Sequence, residues 1–266
     1  MYAKSCPERL ERYSVSSSQS TPMEDNDELE ANSAGSYVRG LAKKRRFTAL
    51  NLGFFSIFLS IVAMVAALVF RDVFFTSGLC LLSIFLGYRL NQQSRLVYNA
   101  RRGAKAEEVV SAHIKELLRD REGWHLFHNI LLKDIGDVDH LLVGPKGIVI
   151  VETKSQQGTM MVSQGRIGFR QPMGMVWPKK DFVAQTRSLA DALRALDLTV
   201  HPVLCFTRAE VKPMKLRGVY ITDVAHLANE LDRHEGKLDE AEVHEIIQKI
   251  RAIAQPQKSP SSSDNR

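Results

Sequence analysis

The sequence predicts a mixed α/β domain with helices on both faces of its sheet, preceded by two transmembrane helices. Residues 47–70 form an uncharged run of 24 residues, and a second uncharged run, residues 73–88, follows after only two residues. From residue 103 onward, amphipathic helical patterns alternate with short runs of apolar and β-branched residues. Such an alternation is typical of an α/β domain.

The net charge of +6 is distributed unevenly along the chain. Residues 1–40 carry 4 basic and 7 acidic side chains, residues 41–105 carry 10 and 1, and residues 106–266 carry 22 of each. The positive excess therefore surrounds the apolar runs, which excludes a uniformly basic coat that binds nucleic acid. The three cysteines are widely spaced, which excludes a disulfide framework or a cysteine-rich zinc site.

The chain divides into four predicted segments. Residues 1–40 are serine-rich and then acidic, without apolar periodicity, which predicts a disordered tail. A transmembrane hairpin with basic flanks is predicted over 41–102, a globular domain over 103–254, and a flexible tail over 255–266. The first apolar run begins too far along the chain for a cleaved signal peptide.

The two apolar runs predict a membrane anchor that contacts the lipid bilayer over residues 47–90. The first is about 36 Å long as a helix, and the second is about 24 Å long and can be extended by snorkelling of Arg89. Basic residues precede the first run and follow the second, which predicts that both termini and the globular domain are cytoplasmic. We expect an integral protein of a bacterial inner membrane. Two buried helices of a soluble core are the alternative.

The globular domain is predicted to begin with a helix, followed by three strands, a helix, two strands and two helices. The predicted helices cover 104–120, 181–196, 223–231 and 239–254. The predicted strands cover 124–132, 137–143, 147–154, 200–206 and 219–222, with a further hairpin over 159–163 and 166–170.

The hairpin formed by the second and third predicted strands carries the most informative residues. A tight turn over 144–147 places Asp139 directly opposite Glu152, and Asp137 opposite Lys154. Residues that face each other in this way have Cβ atoms about 4.5–5.5 Å apart, where like charges are destabilising. A carboxylate pair at that separation suits a shared hard cation, and a neighbouring lysine can position a water or balance the charge of a phosphate. The alternative is a solvent-facing hairpin with an Asp137–Lys154 ion pair.

The run GDVDHLLVGPKGIVIVETK, residues 136–154, closely resembles the core of the nuclease-related domain (NERD) family. That family belongs to the PD-(D/E)xK nuclease superfamily, which has a restriction-endonuclease-like fold. The resemblance covers roughly residues 100–210. Supporting matches are Gly103 with Glu107, residues 128–130, Gln185, and residues 202–207.

This resemblance implies hydrolysis of phosphodiester bonds with a divalent metal, Mg²⁺ or Mn²⁺, and nucleic acid, DNA in particular, as the substrate. It implies that Asp139 and Glu152 are the metal ligands and that Lys154 is the catalytic lysine. Glu107 becomes an accessory carboxylate from the first helix, and Gln185 a helix residue that reaches the same site. From the residues alone, Glu107 falls on the inward stripe of its helix, although a helix-start glutamate is the alternative.

A cluster of basic and aromatic residues surrounds a glycine-rich segment after the hairpin. Such groups can contact phosphates and stack on a base, which makes them candidate substrate-binding residues, and a solvated loop is the alternative. The cluster consists of Arg166, Arg170, Trp177, Lys179 and Lys180. For the whole protein, the alternative to a nuclease is a non-catalytic, membrane-tethered module that binds nucleic acid or protein.

Overall fold

Two long helices form an antiparallel hairpin at the N-terminal side of the described chain. The structure, a computed structural model, describes residues 36–70, 73–133, 135–233 and 236–255. Helix α1 is Ser36–Phe70 and helix α2 is Val73–Leu118. Most of the predicted N-terminal tail, and the predicted C-terminal tail after residue 255, lie outside the described residues.

Small side chains line the contact between α1 and α2. Ser60 Oγ lies 2.6 Å from Ser83 Oγ, and Ser56 Oγ donates to the Ser83 carbonyl at 3.3 Å. Ala63 and Ala66 of α1 are each only 4% exposed. Because small residues let helix backbones approach closely, this stripe explains why the two helices pack along their length.

One stretch of α1, Arg46–Val69, is long and apolar enough to cross a membrane, with a mean hydropathy of 2.6. Only 11% of this stretch is buried within the protein, and its large apolar side chains, such as Phe54 and Leu68, point outward. Within the described residues no second stretch meets the same length and hydropathy criterion. The second predicted span, residues 73–88, therefore stays a prediction.

Helix α2 differs from its prediction because it continues without a break from Val73 to Leu118. The sequence had placed the end of the hairpin at residue 102 and the start of a separate helix at residue 104. The intervening segment contains no proline, and Val97 within it is buried at 9% exposure. One rod thus joins the apolar hairpin to the globular domain.

The described part of the globular domain contains a mixed sheet of nine strands. Its strands are β1 His125–Leu132, β2 Gly136–Gly144, β3 Gly147–Ser163, β4 Arg166–Gln171, β5 Gly174–Val176, β6 Val200–Glu210, β7 Met214–Leu216, β8 Val219–Asp223 and β9 Ala254–Gln255. The order across the sheet is β7-β8-β6-β3-β2-β1-β9, and β4 and β5 extend it from β3. The β3–β6 and β6–β8 pairs are parallel and the other pairs are antiparallel.

Helices cover both faces of this sheet, as the sequence predicts. The remaining helices are α3 Phe182–Arg194, a 3₁₀ turn Val224–His226, α4 Leu227–Asp232 and α5 Glu240–Ile253. On one face, Ile148 and Ile150 pack with α3 and α5. On the other, Val149 and Val151 pack with Val110 of α2 and with α4. Strand β3 is therefore buried on both sides, which explains its continuous apolar run.

Most predicted strands are confirmed within a few residues, but β3 is much longer than predicted. Its 17 residues include the segment 159–163, which the sequence analysis had assigned to a separate strand. A register shift between Lys154 and Gln157 lets the strand continue beyond its buried half. The short strands β5, β7 and β9 were not predicted, because two or three residues carry no readable periodicity.

Candidate active site

The candidate site lies at a gap along one edge of β3. Strand β2 pairs with this edge only as far as His140↔Val151, and β4 pairs with it only from Thr159↔Arg170 onward. Beyond His140, β2 continues to pair with β1 on its other side. The two strands of the predicted hairpin therefore part where the acidic residues begin.

Side chains bond the backbone of β3 within this gap. The Thr153 N–H donates to Asp139 Oδ2 at 2.8 Å. The Ser155 carbonyl accepts from Arg102 Nε of α2 at 3.0 Å, and the Gln157 carbonyl accepts from Gln171 Nε2 at 3.1 Å. Because these side chains replace a partner strand, the edge stays open while these backbone groups remain satisfied.

Asp139 and Glu152 approach each other across the gap. The observed register of β2 and β3, with Gly144↔Gly147 at the turn, is the one expected from the sequence, and residues 139 and 152 lie directly beyond its last pair, His140↔Val151. Glu152 is only 3% exposed. Its Oε2 atom is buried and has no hydrogen-bond partner among the described residues. A buried carboxylate oxygen without a partner is costly, and such an atom favours a ligand-binding role.

Lys154 pairs with Glu152 rather than with Asp137. The distance from Lys154 Nζ to Glu152 Oε1 is 2.5 Å, and the lysine side chain is 17% exposed. Its ammonium also lies 5.4 Å from the centre of the Phe182 ring at the start of α3. Asp137 is exposed. The alternative of a solvent-facing Asp137–Lys154 pair is therefore not what the structure shows.

Two helices bring further polar side chains to this pair. Gln185 of α3 donates from Nε2 to Glu152 Oε1 at 3.1 Å. Glu107 of α2 is 8% exposed, as expected for the inward stripe of its helix. It lies close enough for its charge to shift the pKa values of Asp139 and Lys154. The structure thus assembles all five residues that the resemblance nominated, although their roles stay predictions.

The charges of the five-residue cluster favour a bound cation. Burial of the Asp139 carboxyl group raises its pKa above the ordinary value, and the neighbouring Glu152 and Glu107 raise it further. Burial by itself lowers the pKa of Lys154, but the carboxylates of Glu152, Asp139 and Glu107 outweigh this effect and raise it. Lys154 is therefore an ammonium at neutral pH, next to the carboxyl groups of Glu152, Asp139 and Glu107.

A histidine pair occupies the opposite side of β2 from Asp139. His128 and His140 are buried, at 3% and 0% exposure, and their Nδ1 atoms are 2.9 Å apart. Ser111 Oγ of α2 lies 3.1 Å from His128 Nε2. His140 thus packs inside the domain, on the side of β2 that faces away from the acidic pair. Asn129, between the paired residues His128 and Ile130 of β1, is buried and has a φ of 49°.

The predicted substrate-binding cluster comes from β4 and from the segment between β5 and α3. Arg166 and Arg170 are on β4, and the cluster's other members follow β5. Arg166 Nη2 donates to the Pro178 carbonyl at 3.4 Å, and the Trp177 ring lies over Gly168. No contact in the described residues joins these cations to Asp139, Glu152 or Lys154, and whether they bind substrate stays a prediction.

Within the described ranges, no group of three or more His, Cys, Asp or Glu side chains is arranged to hold a metal ion. A metal at this site would therefore rest on the carboxylate pair alone. Mg²⁺ is commonly held by one or two carboxylates, with waters and substrate phosphates completing its shell. The donor set of Asp139 and Glu152, with one oxygen lacking a partner, fits that mode of binding.

Comparison with known proteins gives one match. Residues 102–207 match the family model of the nuclease-related domain, NERD. No curated protein and no solved structure matches significantly. The matched segment runs from Arg102, which bonds the open edge of β3, to Thr207 of β6, and it contains all five residues of the cluster. Over residues 102–207 this chain is therefore similar to the nuclease-related domain family.

Proposed function

We propose that this protein is a membrane-anchored, divalent-metal-dependent nuclease that hydrolyses phosphodiester bonds of nucleic acid, DNA in particular. The observation that carries the proposal is the buried pair of carboxylates, Asp139 and Glu152, at the open edge of β3. The Lys154 ammonium contacts one oxygen of Glu152. The match to the nuclease-related domain supports the same reaction class.

Asp139 and Glu152 would hold Mg²⁺ or Mn²⁺. The bound ion would supply positive charge for the scissile phosphate and lower the pKa of a water nucleophile. The protein contributes a site in which the two carboxylates are already positioned, because Asp139 is fixed by the Thr153 N–H and Glu152 by Gln185. Such preorganisation lowers the cost of charge rearrangement during the reaction.

Lys154 acts as a charged hydrogen-bond donor and not as a base. Its pKa is raised by the surrounding carboxylates, so it keeps its proton at neutral pH. From its position on Glu152, the ammonium can donate to a phosphate oxygen and stabilise the negative charge that develops there. Glu107 adds negative charge that favours cation binding, and Gln185 keeps Glu152 in place.

The membrane anchor is proposed from the apolar helix Arg46–Val69 and its basic flanks. Two spans would place both termini and the nuclease-related domain on the cytoplasmic side of a bacterial inner membrane. The outward-facing apolar side chains of α1 support a lipid environment for this stretch.

The proposed activity can be tested with the full chain purified in detergent micelles. We expect it to cut plasmid DNA with Mg²⁺ or Mn²⁺ and to lose the activity with a chelator. Asp139→Asn and Lys154→Met should each lower the cleavage rate at least about 100-fold, the magnitude typical for a group that stabilises transition-state charge. Calorimetric titration with Mn²⁺ should show binding in the parent chain and loss of binding in Asp139→Asn.

Asp137→Asn is the matched control, because Asp137 is exposed on the same strand, two residues before Asp139. It should cut at the parent rate. Parent-like cutting by the Asp139 and Lys154 variants would contradict the proposed site. A folded parent chain that neither cuts nor binds Mn²⁺ would favour the non-catalytic binding module instead.

A further inference from the structure

A three-stranded arm extends from the domain and carries most of its exposed apolar side chains. We define the arm as residues 159–180, which include the end of β3, β4, β5 and the following loop. After Tyr98, seven large apolar side chains are exposed in the described residues, and six lie in the arm. They are Met161, Val162, Met173, Met175, Val176 and Trp177. Such a concentration marks an interaction surface.

The arm is also cationic and contains no acidic residue of its own, although Glu210 of β6 bonds Thr159 at its base. From Ser155 to Lys180 the chain has no aspartate or glutamate, although acidic and basic residues are equal in number over residues 106–266. The four basic residues are Arg166, Arg170, Lys179 and Lys180. The surface therefore suits a partner that is negatively charged and also offers apolar contact.

One face of the arm combines these properties. Ile167 and Phe169 of β4 are buried in the core, at 8% and 1% exposure, so the alternate residues Arg166 and Arg170 share the outer face. Met161 pairs with Gly168 and Met175 pairs with Arg170, which places both methionines on that face. The Trp177 ring lies over Gly168 on the same side.

The direction of β3 carries the arm toward the apolar hairpin. Val110 and Ile114 of α2 pack with Val149 and Val151, whereas Arg102, earlier on the helix, bonds the later Ser155. Helix and strand therefore run in opposite directions. The helix from Arg102 back to Arg95 and Arg89 covers about 10 to 20 Å. Strand residues 155–163 span up to about 26 Å, which is enough to reach that level.

We propose that the outer face of the arm docks on the anionic lipid headgroups of the bilayer in which the hairpin is anchored. The inference rests on the membrane anchor of the proposed function. Nucleic acid and lipid headgroups both present phosphates, but the apolar side chains decide between them. The outer face carries methionines and a tryptophan beside cations, a combination that suits the boundary between headgroups and acyl chains. A nucleic-acid platform needs exposed aromatic rings for stacking, and Trp177 covers Gly168 with one ring face.

The two tryptophans of the chain allow a direct test in the full-length protein. The chain is reconstituted in phosphatidylcholine vesicles, with or without phosphatidylglycerol, and quenched by phosphatidylcholine with brominated acyl chains. In Trp124→Phe, which keeps Trp177, we expect at least about twofold quenching when phosphatidylglycerol is present. In Trp177→Phe, which keeps Trp124, we expect no quenching, since Trp124 packs on Gly144 at the far end of the sheet.

Charge variants separate lipid contact from general packing. Lys179→Glu with Lys180→Glu should reduce the quenching of Trp177 at least about twofold, because each cation near an anionic surface contributes binding energy. Lys212→Glu with Lys215→Glu, exposed cations outside the arm, should leave it unchanged. Equal quenching of Trp177 and Trp124 would overturn the proposal. So would quenching of Trp177 by an oligonucleotide but not by lipid.

Flotation of the vesicles distinguishes failure of the arm from failure of the anchor. A chain that floats with the vesicles but shows no quenching of Trp177 would overturn the arm contact alone. A chain that does not float would overturn the anchor and the arm contact together. Nuclease activity is measured separately on the same samples and depends on neither result.

Discussion

At the scale of single residues, the candidate site is held in an electrostatically unfavourable state. Asp139, Glu152 and Glu107 share one ammonium, that of Lys154, and Glu152 is nearly inaccessible to solvent. Burial and mutual repulsion raise the pKa of Asp139, which means that its charged form is disfavoured in the absence of a cation. Clusters that cost stability in this way are typical of functional sites.

The buried histidine behind the site predicts a loss of stability in acid. Burial, and then the charge of Lys115, lowers the pKa of His128 from 6.5 to about 4. As the pH falls from 7 to 5, the unfolded chain takes up a proton at this residue and the folded chain does not. This residue alone should lower the free energy of unfolding by about 2 kcal/mol over that interval. Urea unfolding of the full chain in micelles, followed by tryptophan fluorescence, measures the change.

His128→Asn provides the comparison for this prediction. The variant should be less stable than the parent at pH 7, because the contact of His128 with Ser111 is lost or weakened. Its stability should nevertheless depend less on pH between 7 and 5. An unchanged pH dependence would show that His128 does not stay neutral in the folded protein over this range.

The residues of the site differ in how far the sequence could predict their positions. Asp139, Glu152 and Lys154 followed from strand alternation and a tight turn, since these two rules fix which side chains share a face. Apolar periodicity could not place Gln185 at the site, because Gln185 lies on the exposed face of α3. Its side-chain amide nevertheless reaches Glu152. The bond from the Thr153 N–H to Asp139 also depends on where β2 leaves β3, which no local pattern specifies.

At the scale of elements, the two halves of β3 have different structural roles. Its first half is a buried central strand, and its second half, after the register shift that follows Lys154, becomes the edge of the arm. The site lies where one role changes into the other. The open edge therefore results from a change of partner along a single strand and needs no separate loop.

Gly158 is the residue that permits β4 to pair closely with β3 at the base of the arm. Its φ is 104°, and a Cβ atom there would lie 2.3 Å from the Arg170 carbonyl oxygen. Gly158→Ala should therefore lower the free energy of unfolding by at least about 2 kcal/mol, and limited proteolysis should begin within the arm. Urea unfolding and mapping of the cleavage sites measure both effects.

Gly165→Ala is the matched control for this element. Gly165 also has a positive φ, of 73°, but no atom lies within 4 Å of the position of its Cβ. The expected cost is about 1 kcal/mol, from backbone strain alone. If both alanine variants lose the same small amount, close pairing at Gly158 does not hold the arm in place.

Helices and strands were predictable where burial of one face gives the sequence a regular apolar period, and they were less predictable elsewhere. The helices after residue 180 agree within a few residues, since their apolar stripes face the sheet. The continuity of α2 was missed because the polar segment between residues 89 and 103 has no apolar run, yet its Leu90 packs against Gly53 of α1. Tertiary packing, and not apolar periodicity, therefore makes this segment helical.

At the scale of the whole molecule, the number of membrane spans determines where the two ends lie. Two spans put an N-terminal tag and the nuclease-related domain on the same side, whereas the single stretch Arg46–Val69 would separate them. We expect protease to digest both in inside-out vesicles and neither in intact spheroplasts. Digestion of the tag alone in spheroplasts would show that only one span crosses the membrane.

The unbroken α2 has a spatial consequence for what the protein can act on. The helix carries Arg89, at the predicted membrane edge, and Glu107, at the site, 18 residues later and about 27 Å along the same rod. In the proposed membrane-anchored nuclease, this continuous helix would hold the candidate site at a nearly constant height above the lipid. Nucleic acid deep in the cell interior would then lie beyond the reach of this site, and the proposed activity would be confined to a thin layer along the membrane.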